Sequence, residues 1–167
     1  MQHPDNNKIQ QYLTTHPSVM PSQVADALGV SELAVVKALP EDEWHLIALT
    51  EMDGLFSTLP SWGNVTTIIT VSGHIFEFKG PFPKGKYARG YYNLIPKNNG
   101  FHGHLKSDEI SHIILISKAF RGRESYSINF FGLTEEIIFK VYLGRDANGV
   151  LFPDQVGHFK QLIQSNL

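Results

Sequence analysis

The 167-residue sequence contains no cysteine. Disulfide bonds, zinc sites with thiolate ligands, iron–sulfur clusters and thiol nucleophiles are therefore excluded. The sequence also has no apolar run of the ~18 residues that a membrane-spanning helix needs, and its N-terminus, MQHPDNNKIQQ, has no apolar region of the secretory type. These absences predict a cytoplasmic protein without membrane insertion.

Several nucleotide-binding and catalytic motifs are missing as well. The sequence has no GxxxxGK[ST] loop, no GxGxxG after a predicted strand and no GxSxG nucleophile elbow. Carboxylates are sparse in the middle of the chain, so a hydrolase that works with paired carboxylates has no obvious site there. The histidines are the remaining candidates for chemistry.

Acidic residues are absent from Lys79–Ser107, although the whole chain has a formal charge of −2. Glycines, aromatic residues and two histidines share this segment with six cations. A flat, apolar, dianionic ligand would suit such a mixture, so we place the binding site here. The six cations are Lys79, Lys84, Lys86, Arg89, Lys97 and Lys106.

Residues 1–43 predict a helical N-terminal module, with helices over 6–15, 21–28 and 32–39. The last two helices and Gly29 have the pattern of a helix-turn-helix. However, residues 1–43 contain two lysines against six acidic side chains, a net charge of −4. Counterion release cannot drive such a surface onto DNA, so we predict a packing role and no nucleic-acid partner.

Residues 44–167 predict a β-rich region that ends in a helix, and we expect one compact domain overall. The predicted fold is α+β, with N-terminal helices, a long antiparallel meander and a C-terminal helix. Val65–Lys79 reads as a single strand that places Thr70 and His74 on one face. The other predicted strands are 87–95, 101–106, 112–120, 125–131 and 136–143, and the closing helix is 154–165.

Histidines and tyrosines in this region are candidate ligands. His102 and His104 share one face of a predicted strand, and a metal held by both could take a third ligand from His112 or Asp108. His74 is a possible iron ligand or a core histidine. The phenols nearby matter because a phenolate prefers ferric iron; they belong to Tyr87, Tyr91 and Tyr92.

Basic side chains at the predicted turns could bind carboxylates such as haem propionates. Arg121 and Arg123 flank one turn, and Lys84 and Arg89 lie in another segment that is rich in turn residues. With the histidines and the apolar strand faces, these side chains describe a site of the size of haem. Phe101, beside His102, is a candidate contact of the same ligand.

Four stretches of the sequence resemble a known family. VTTIITVSGHIFEFKG, ARGYYNLI, GFHGHLKSDEISHIILI and FKVYLGRD are similar to the HutX/HuvX/ChuX family of intracellular haem-utilisation carriers. The resemblance runs from about Trp44 to the C-terminus. It implies a cytoplasmic protein that binds b-type haem after import and passes it to a haem-degrading acceptor.

The resemblance also implies a fold and a set of ligands. The fold would be one half of the larger HemS-like haem proteins, paired here as a homodimer. The GHL element supports His104 as the iron ligand, and the GYYNL element makes Tyr91 the alternative. Some relatives have a histidine at the position of Thr70, and His74 could substitute for it.

We therefore predict a haem carrier that is not an enzyme. The alternative is a haem-degrading enzyme, or a non-haem metalloprotein that uses His102, His104 and His112.

Overall fold

The computed structural model describes residues 6–98 and 100–165. The chain begins with three helices, α1 (Asn6–Thr15), α2 (Pro21–Leu28) and α3 (Glu32–Lys37). Gly29 ends α2 in the left-handed region, with φ of 65°. The Ser31 hydroxyl accepts a hydrogen bond from the Ala34 amide at 3.1 Å and so caps α3. The predicted helix-turn-helix is thus present, although α3 ends two residues earlier than expected.

Nine strands form two antiparallel sheets in the described part of the chain. The large sheet has six strands in the order β1-β7-β8-β9-β2-β3, and the small sheet has the order β4-β5-β6. The predicted α+β class is confirmed, but the expected meander is divided between the two sheets. The strands are β1 (Trp44–Ile47), β2 (Asn64–Val71), β3 (His74–Pro81), β4 (Gly85–Ala88), β5 (Tyr91–Leu94), β6 (Gly103–Leu105), β7 (Ile110–Ser117), β8 (Tyr126–Gly132) and β9 (Ile137–Tyr142).

Two segments that were predicted as single strands are hairpins. The predicted strand 65–79 turns back at Ser72 and Gly73, and the predicted strand 87–95 turns back at Arg89 and Gly90. All four turn residues have positive φ, between 49° and 78°. Such two-residue turns match the right-handed twist of antiparallel strands.

Aromatic rings fill the space between the two sheets. Phe56, on α4 (Met52–Thr58), lies with its ring centroid 4.8 Å from that of Tyr92 on the small sheet. Its centroid is 5.6 Å from that of Phe130 on the large sheet. Phe130 in turn stacks on Phe139 at 4.2 Å. This stack joins the small sheet to the large one.

The C-terminal helix α5 (Pro153–Ser165) is fixed by a buried amide. Gln155 is 1% exposed, and its Nε2 donates to the carbonyls of Trp62 and Asn64 at 2.8 and 2.9 Å. Its Oε1 accepts from the Gly144 amide at 2.7 Å. One side chain therefore joins the helix to the start of β2 and to the segment after β9.

The N-terminal helices cover the opposite face of the large sheet. Leu33 and Val36 of α3 pack in one cluster with Ile114, Ile116 and Phe131. Polar contacts surround this cluster. Lys140 pairs with Glu32, Lys118 pairs with Glu43 at 3.3 Å, and Lys37 Nζ lies 3.1 Å from His112 Nε2.

The burial of His112 and its contact with Lys37 make the free energy of unfolding depend on pH. Burial and the Lys37 ammonium lower the pKa of His112, and Glu135 opposes this only in part. The unfolded chain therefore binds a proton more readily than the folded chain. We expect the free energy of unfolding to fall as pH drops through the ordinary histidine pKa of about 6.5. Urea unfolding at a series of pH values between 8 and 5 measures this free energy.

His112→Gln is the control, because glutamine does not titrate there. Its free energy of unfolding should fall less over the same pH range than that of the wild type. Equal falls in both proteins would contradict a role for this histidine.

A glycine in β4 permits close packing of the small sheet. A Cβ at Gly85 would lie 2.6 Å from Tyr92 Cζ and 2.8 Å from the Asn93 carbonyl oxygen. We expect Gly85→Ala to lower the free energy of unfolding by about 2 kcal/mol, as overpacking does. Urea denaturation measures this change.

Gly54→Ala is the matched control. Nothing lies within 4 Å of a Cβ at Gly54, which is in the interior of α4. This change should stabilise the protein by up to about 1 kcal/mol. If both variants unfold at the same urea concentration, the close approach at Gly85 is not a constraint.

Candidate functional site

The small sheet has one buried face and one exposed face. Residues directly opposite each other in an antiparallel pair share a face, and neighbours along a strand alternate. Tyr92 and Leu94 are 7% and 3% exposed and point into the core. Tyr91 and Asn93, the neighbours of Tyr92 along β5, therefore point outward. Opposite pairs on this outer face are Lys86 with Asn93, Asn93 with His104, and Ala88 with Tyr91.

Two of the predicted iron ligands meet on this outer face. Tyr91 and His104 are both exposed, and their ring centroids are 6.0 Å apart with the rings inclined at 69°. Asn93 follows Tyr91 by two residues on β5 and is directly opposite His104 on β6. Its Oδ1 lies 2.6 Å from His104 Nδ1. An imidazole and a phenol are thus presented side by side to solvent.

The other two phenols of the segment are poorly suited to ligate iron. Tyr92 is buried, and burial raises the pKa of its phenol. Tyr87 donates a hydrogen bond to Asp53 Oδ1 at 2.6 Å, and its pKa is raised by burial and then by this acceptor. Tyr91 is the best placed of the three tyrosines because it lies on the outer face beside His104, whereas Tyr87 and Tyr92 lie on the inner face.

Uncompensated cations lie on the strands and turns of the small sheet. Lys84, Lys86, Arg89 and Lys97 are exposed. Within residues 6–98 and 100–165 none of these four forms an ion pair. Their charges therefore remain available to an anionic ligand. Lys106 differs, since it pairs with Glu109 at 3.7 Å.

The hairpin of β2 and β3 carries the third candidate ligand. His74 is exposed and begins β3, directly after the turn. The expectation that it shares a face with Thr70 is wrong, because Thr70 pairs with Ile75 and His74 pairs with Val71. A turn at Ser72 and Gly73 reverses the chain and so places His74 on the other face.

Further apolar and aromatic groups extend from the hairpin toward β6. Phe101 stacks on Phe78 of β3 at 5.7 Å. His102 is exposed and follows Phe101, two residues before His104. Ile75 and Phe76 remain 66% and 59% exposed on the hairpin. Ile95, just after β5, is 48% exposed and adds apolar surface beside the outer face of the small sheet.

Arg121 and Arg123 are not brought to the other candidates. They lie in the turn after β7, whereas β6 leads through residues 107–109 into the opposite end of β7. Eight residues of β7 separate the two ends by roughly 25 Å. Arg121 instead lies over the ring of Phe120 at 5.0 Å, and Arg123 forms a bridge with Phe120.

The predicted non-haem site of His102, His104 and His112 is not formed. His112 lies on the face of the large sheet that the N-terminal helices cover, and its ring contacts Lys37 and Ser111. In the ranges 6–98 and 100–165, no cluster of three or more His, Cys, Asp or Glu side chains could hold a metal ion. That alternative is therefore wrong on geometry.

The outer face of the small sheet fits haem in its donor set. It offers an imidazole nitrogen and a phenol oxygen, and haem iron takes both kinds of ligand in proteins. Free cations lie near them, and apolar groups such as Ile95 are exposed close by. Asn93 was not among the predicted site residues, because its contact with His104 depends on the pairing of β5 with β6.

No helix in the described ranges combines the length and the apolar character that crossing a bilayer requires.

Comparison with known proteins agrees with these features. The family model described as "Haem utilisation ChuX/HutX" matches residues 45–162. The chain is 46% identical over 159 residues to "Intracellular heme transport protein HutX" of Vibrio cholerae serotype O1, covering 95% of this chain and 82% of that protein. It is 34% identical to the solved structure of "the Heme Binding Protein ChuX", with a TM-score of 0.84 and coverage of 94% and 97%.

A more distant likeness concerns the fold alone. The structure of ChuS from Escherichia coli O157:H7 matches with a TM-score of 0.75 at 14% identity. The match covers the whole of this chain and 49% of that one. The expected relation to one half of a larger protein is thereby confirmed for the fold. The chain belongs to the ChuX/HutX family of haem-utilisation proteins.

Proposed function

We propose that this protein is an intracellular haem carrier that binds haem on the outer face of the small sheet. The observation that carries the proposal is the pair of exposed ligands, His104 and Tyr91, on one face beside unpaired cations. The relative from Vibrio cholerae is named as an intracellular haem transport protein, which supports the same role.

The proposed ligand is b-type haem, iron protoporphyrin IX. Its iron accepts a nitrogen or oxygen ligand, and its two propionates carry negative charge. His104 or Tyr91 would hold the iron. Lys84, Lys86 and Arg89 would pair with the propionates through charge-assisted hydrogen bonds. Arg121 and Arg123 have no part in this site.

The carrier has no catalytic turnover of its own in this proposal. It accepts imported haem in the cytoplasm and passes it to a haem-degrading acceptor protein. The exposure of His104 and Tyr91 supports transfer, because a ligand held on an open face can leave without unfolding of the protein. The N-terminal helices serve as a packing module for residues 44–167, which their apolar cluster on the large sheet supports.

We expect one haem per chain with micromolar or better affinity. Titration with hemin should give a Soret band that saturates at one equivalent. An absorbance that rises without saturation, as with an unrelated protein, would refute the proposed function.

Variants of the candidate ligands should differ in their effects on bound haem. We expect His104→Ala to change the ferric spectrum and to speed haem loss to apomyoglobin at least about tenfold, since even the loss of an outer-shell partner costs that much. Tyr91→Phe removes only the phenol oxygen and should have a smaller effect. His74→Ala should have the smallest effect.

His102→Ala is the matched control, because it removes an exposed imidazole two residues away. If Tyr91→Phe abolishes the phenolate charge-transfer band while His104→Ala leaves the spectrum unchanged, tyrosine is the ligand. A low-spin haem that becomes high-spin only in His74→Ala would assign a ligand role to His74.

We also infer that the protein is a homodimer. β3 is an edge strand of the large sheet, and it carries the exposed side chains of Ile75 and Phe76. An exposed apolar edge is normally covered, and a two-fold partner would cover it. The match to half of a longer chain supports the same arrangement.

Light scattering should give twice the mass of the 18.8-kDa chain. Phe76→Glu should shift the protein toward monomer, because it places a charge in the proposed contact. Leu133→Glu is the control, since Leu133 is equally exposed, at 61%, in a turn of the large sheet. A wild-type protein that stays monomeric at tens of micromolar would contradict the dimer.

A further inference from the structure

Asn93 has a side-chain amide whose orientation is set by its neighbours. Its Nδ2 lies 3.2 Å from the Lys86 carbonyl oxygen and 3.0 Å from the carbonyl oxygens of both Ala88 and Tyr91. Carbonyl oxygens only accept hydrogen bonds, so the atom that faces them must be the NH₂ group. The amide oxygen then has to face the other way, toward His104.

The orientation of this amide fixes the position of a proton on His104. Asn93 Oδ1 lies 2.6 Å from His104 Nδ1. An amide oxygen has no hydrogen to donate, so the hydrogen bond requires a hydrogen on Nδ1. In the neutral ring the other nitrogen, Nε2, then carries the lone pair. An unconstrained imidazole prefers the opposite tautomer, with the hydrogen on Nε2.

We propose that Asn93 is a positioning residue that holds His104 in the Nδ1–H tautomer and so keeps the Nε2 lone pair ready for haem iron. The proposal rests on the proposed function for the role of Nε2, but the tautomer itself is a property of the protein without haem. Asn93 would also limit rotation of the ring, because its hydrogen bond ties one edge to the sheet.

The backbone of the small sheet provides the carbonyl groups that orient the Asn93 amide. Arg89 and Gly90, with φ of 55° and 78°, form the two-residue turn between β4 and β5. The residues that flank the turn, Ala88 and Tyr91, are directly paired, and their carbonyls are two of the three that accept from Asn93. The third comes from Lys86, which is paired with Asn93 itself. The hairpin of β4 and β5 therefore orients the Asn93 amide, and through it the ring of His104.

The tautomer can be measured directly by NMR. Long-range correlations between ring ¹⁵N and ¹H should be recorded on the full chain without haem at about pH 8.5, two units above the ordinary histidine pKa. We expect His104 to be in the Nδ1–H form. His102, an exposed imidazole on the same segment, should show mainly the ordinary Nε2–H form. A wild-type His104 with the hydrogen on Nε2 would overturn the proposal.

Asn93→Leu keeps the size of the side chain but removes both the donor and the acceptor. In this variant His104 should return to mainly the Nε2–H form, and haem loss to apomyoglobin should speed up about 10-fold or more, as for other partners of metal ligands. Asn93→Ala is a second variant in case leucine disturbs the sheet. Asn98→Leu, at an exposed asparagine of the same segment, should change neither result.

The outcomes distinguish the positioning role of Asn93 from the proposed function as a haem carrier. An unchanged tautomer in both Asn93 variants would overturn the role of Asn93. A changed tautomer with unchanged haem loss would overturn the claim that this tautomer prepares the ligand. If the wild-type protein binds no haem while His104 is still in the Nδ1–H form, the proposed function fails and the positioning by Asn93 stands.

Discussion

Stacking between Phe56, Tyr92 and Phe130 is the contact on which the rest of the structure depends. It fixes the inner face of the small sheet against the large sheet. Because side chains alternate along a strand, burial of Tyr92 turns Tyr91 and Asn93 toward solvent. The pairing of β5 with β6 then places His104 on the same side. A core contact thus decides which side chains form the outer face.

Local signals in the sequence predicted the helices well and the hairpins poorly. Pro21, Gly29 and Ser31 are standard residues at helix ends, and α2 and α3 begin and end close to them. Ser72-Gly73 and Arg89-Gly90 lie inside continuous β-rich stretches, and serine and arginine rarely adopt positive φ. Ser-Gly is a local turn signal, but β-branched and aromatic residues on both sides of Ser72-Gly73 favoured a continuous strand. The reversal at Ser72 and Gly73 is also why Thr70 and His74 were placed on one face.

Strand alternation predicts which residues of one strand share a face, and only this part of the candidate site follows from local sequence. A period of two places His104 on the outer face, whereas His102 precedes β6, so the face that the two histidines share stays a prediction. Tyr91 joins His104 through the pairing of β5 with β6, and its position was anticipated from the family resemblance. The contact between Asn93 and His104 depends on strand register, which no local pattern encodes. Tertiary packing, which local patterns do not encode, places Arg121 over Phe120 after β7 and His112 against Lys37.

The division of the strands between two sheets has a consequence for the order of folding. The small sheet is built from consecutive strands within residues 85–105, whereas Trp44 pairs with Ile116 and Thr66 pairs with Tyr142 in the large sheet. Loop-closure entropy makes the distant pairings slower. On a ribosome, the strands that carry Tyr91 and His104 emerge together, while β2 must wait for β9. The strands of the small sheet can therefore pair with one another while the large sheet that supports them is still being synthesised.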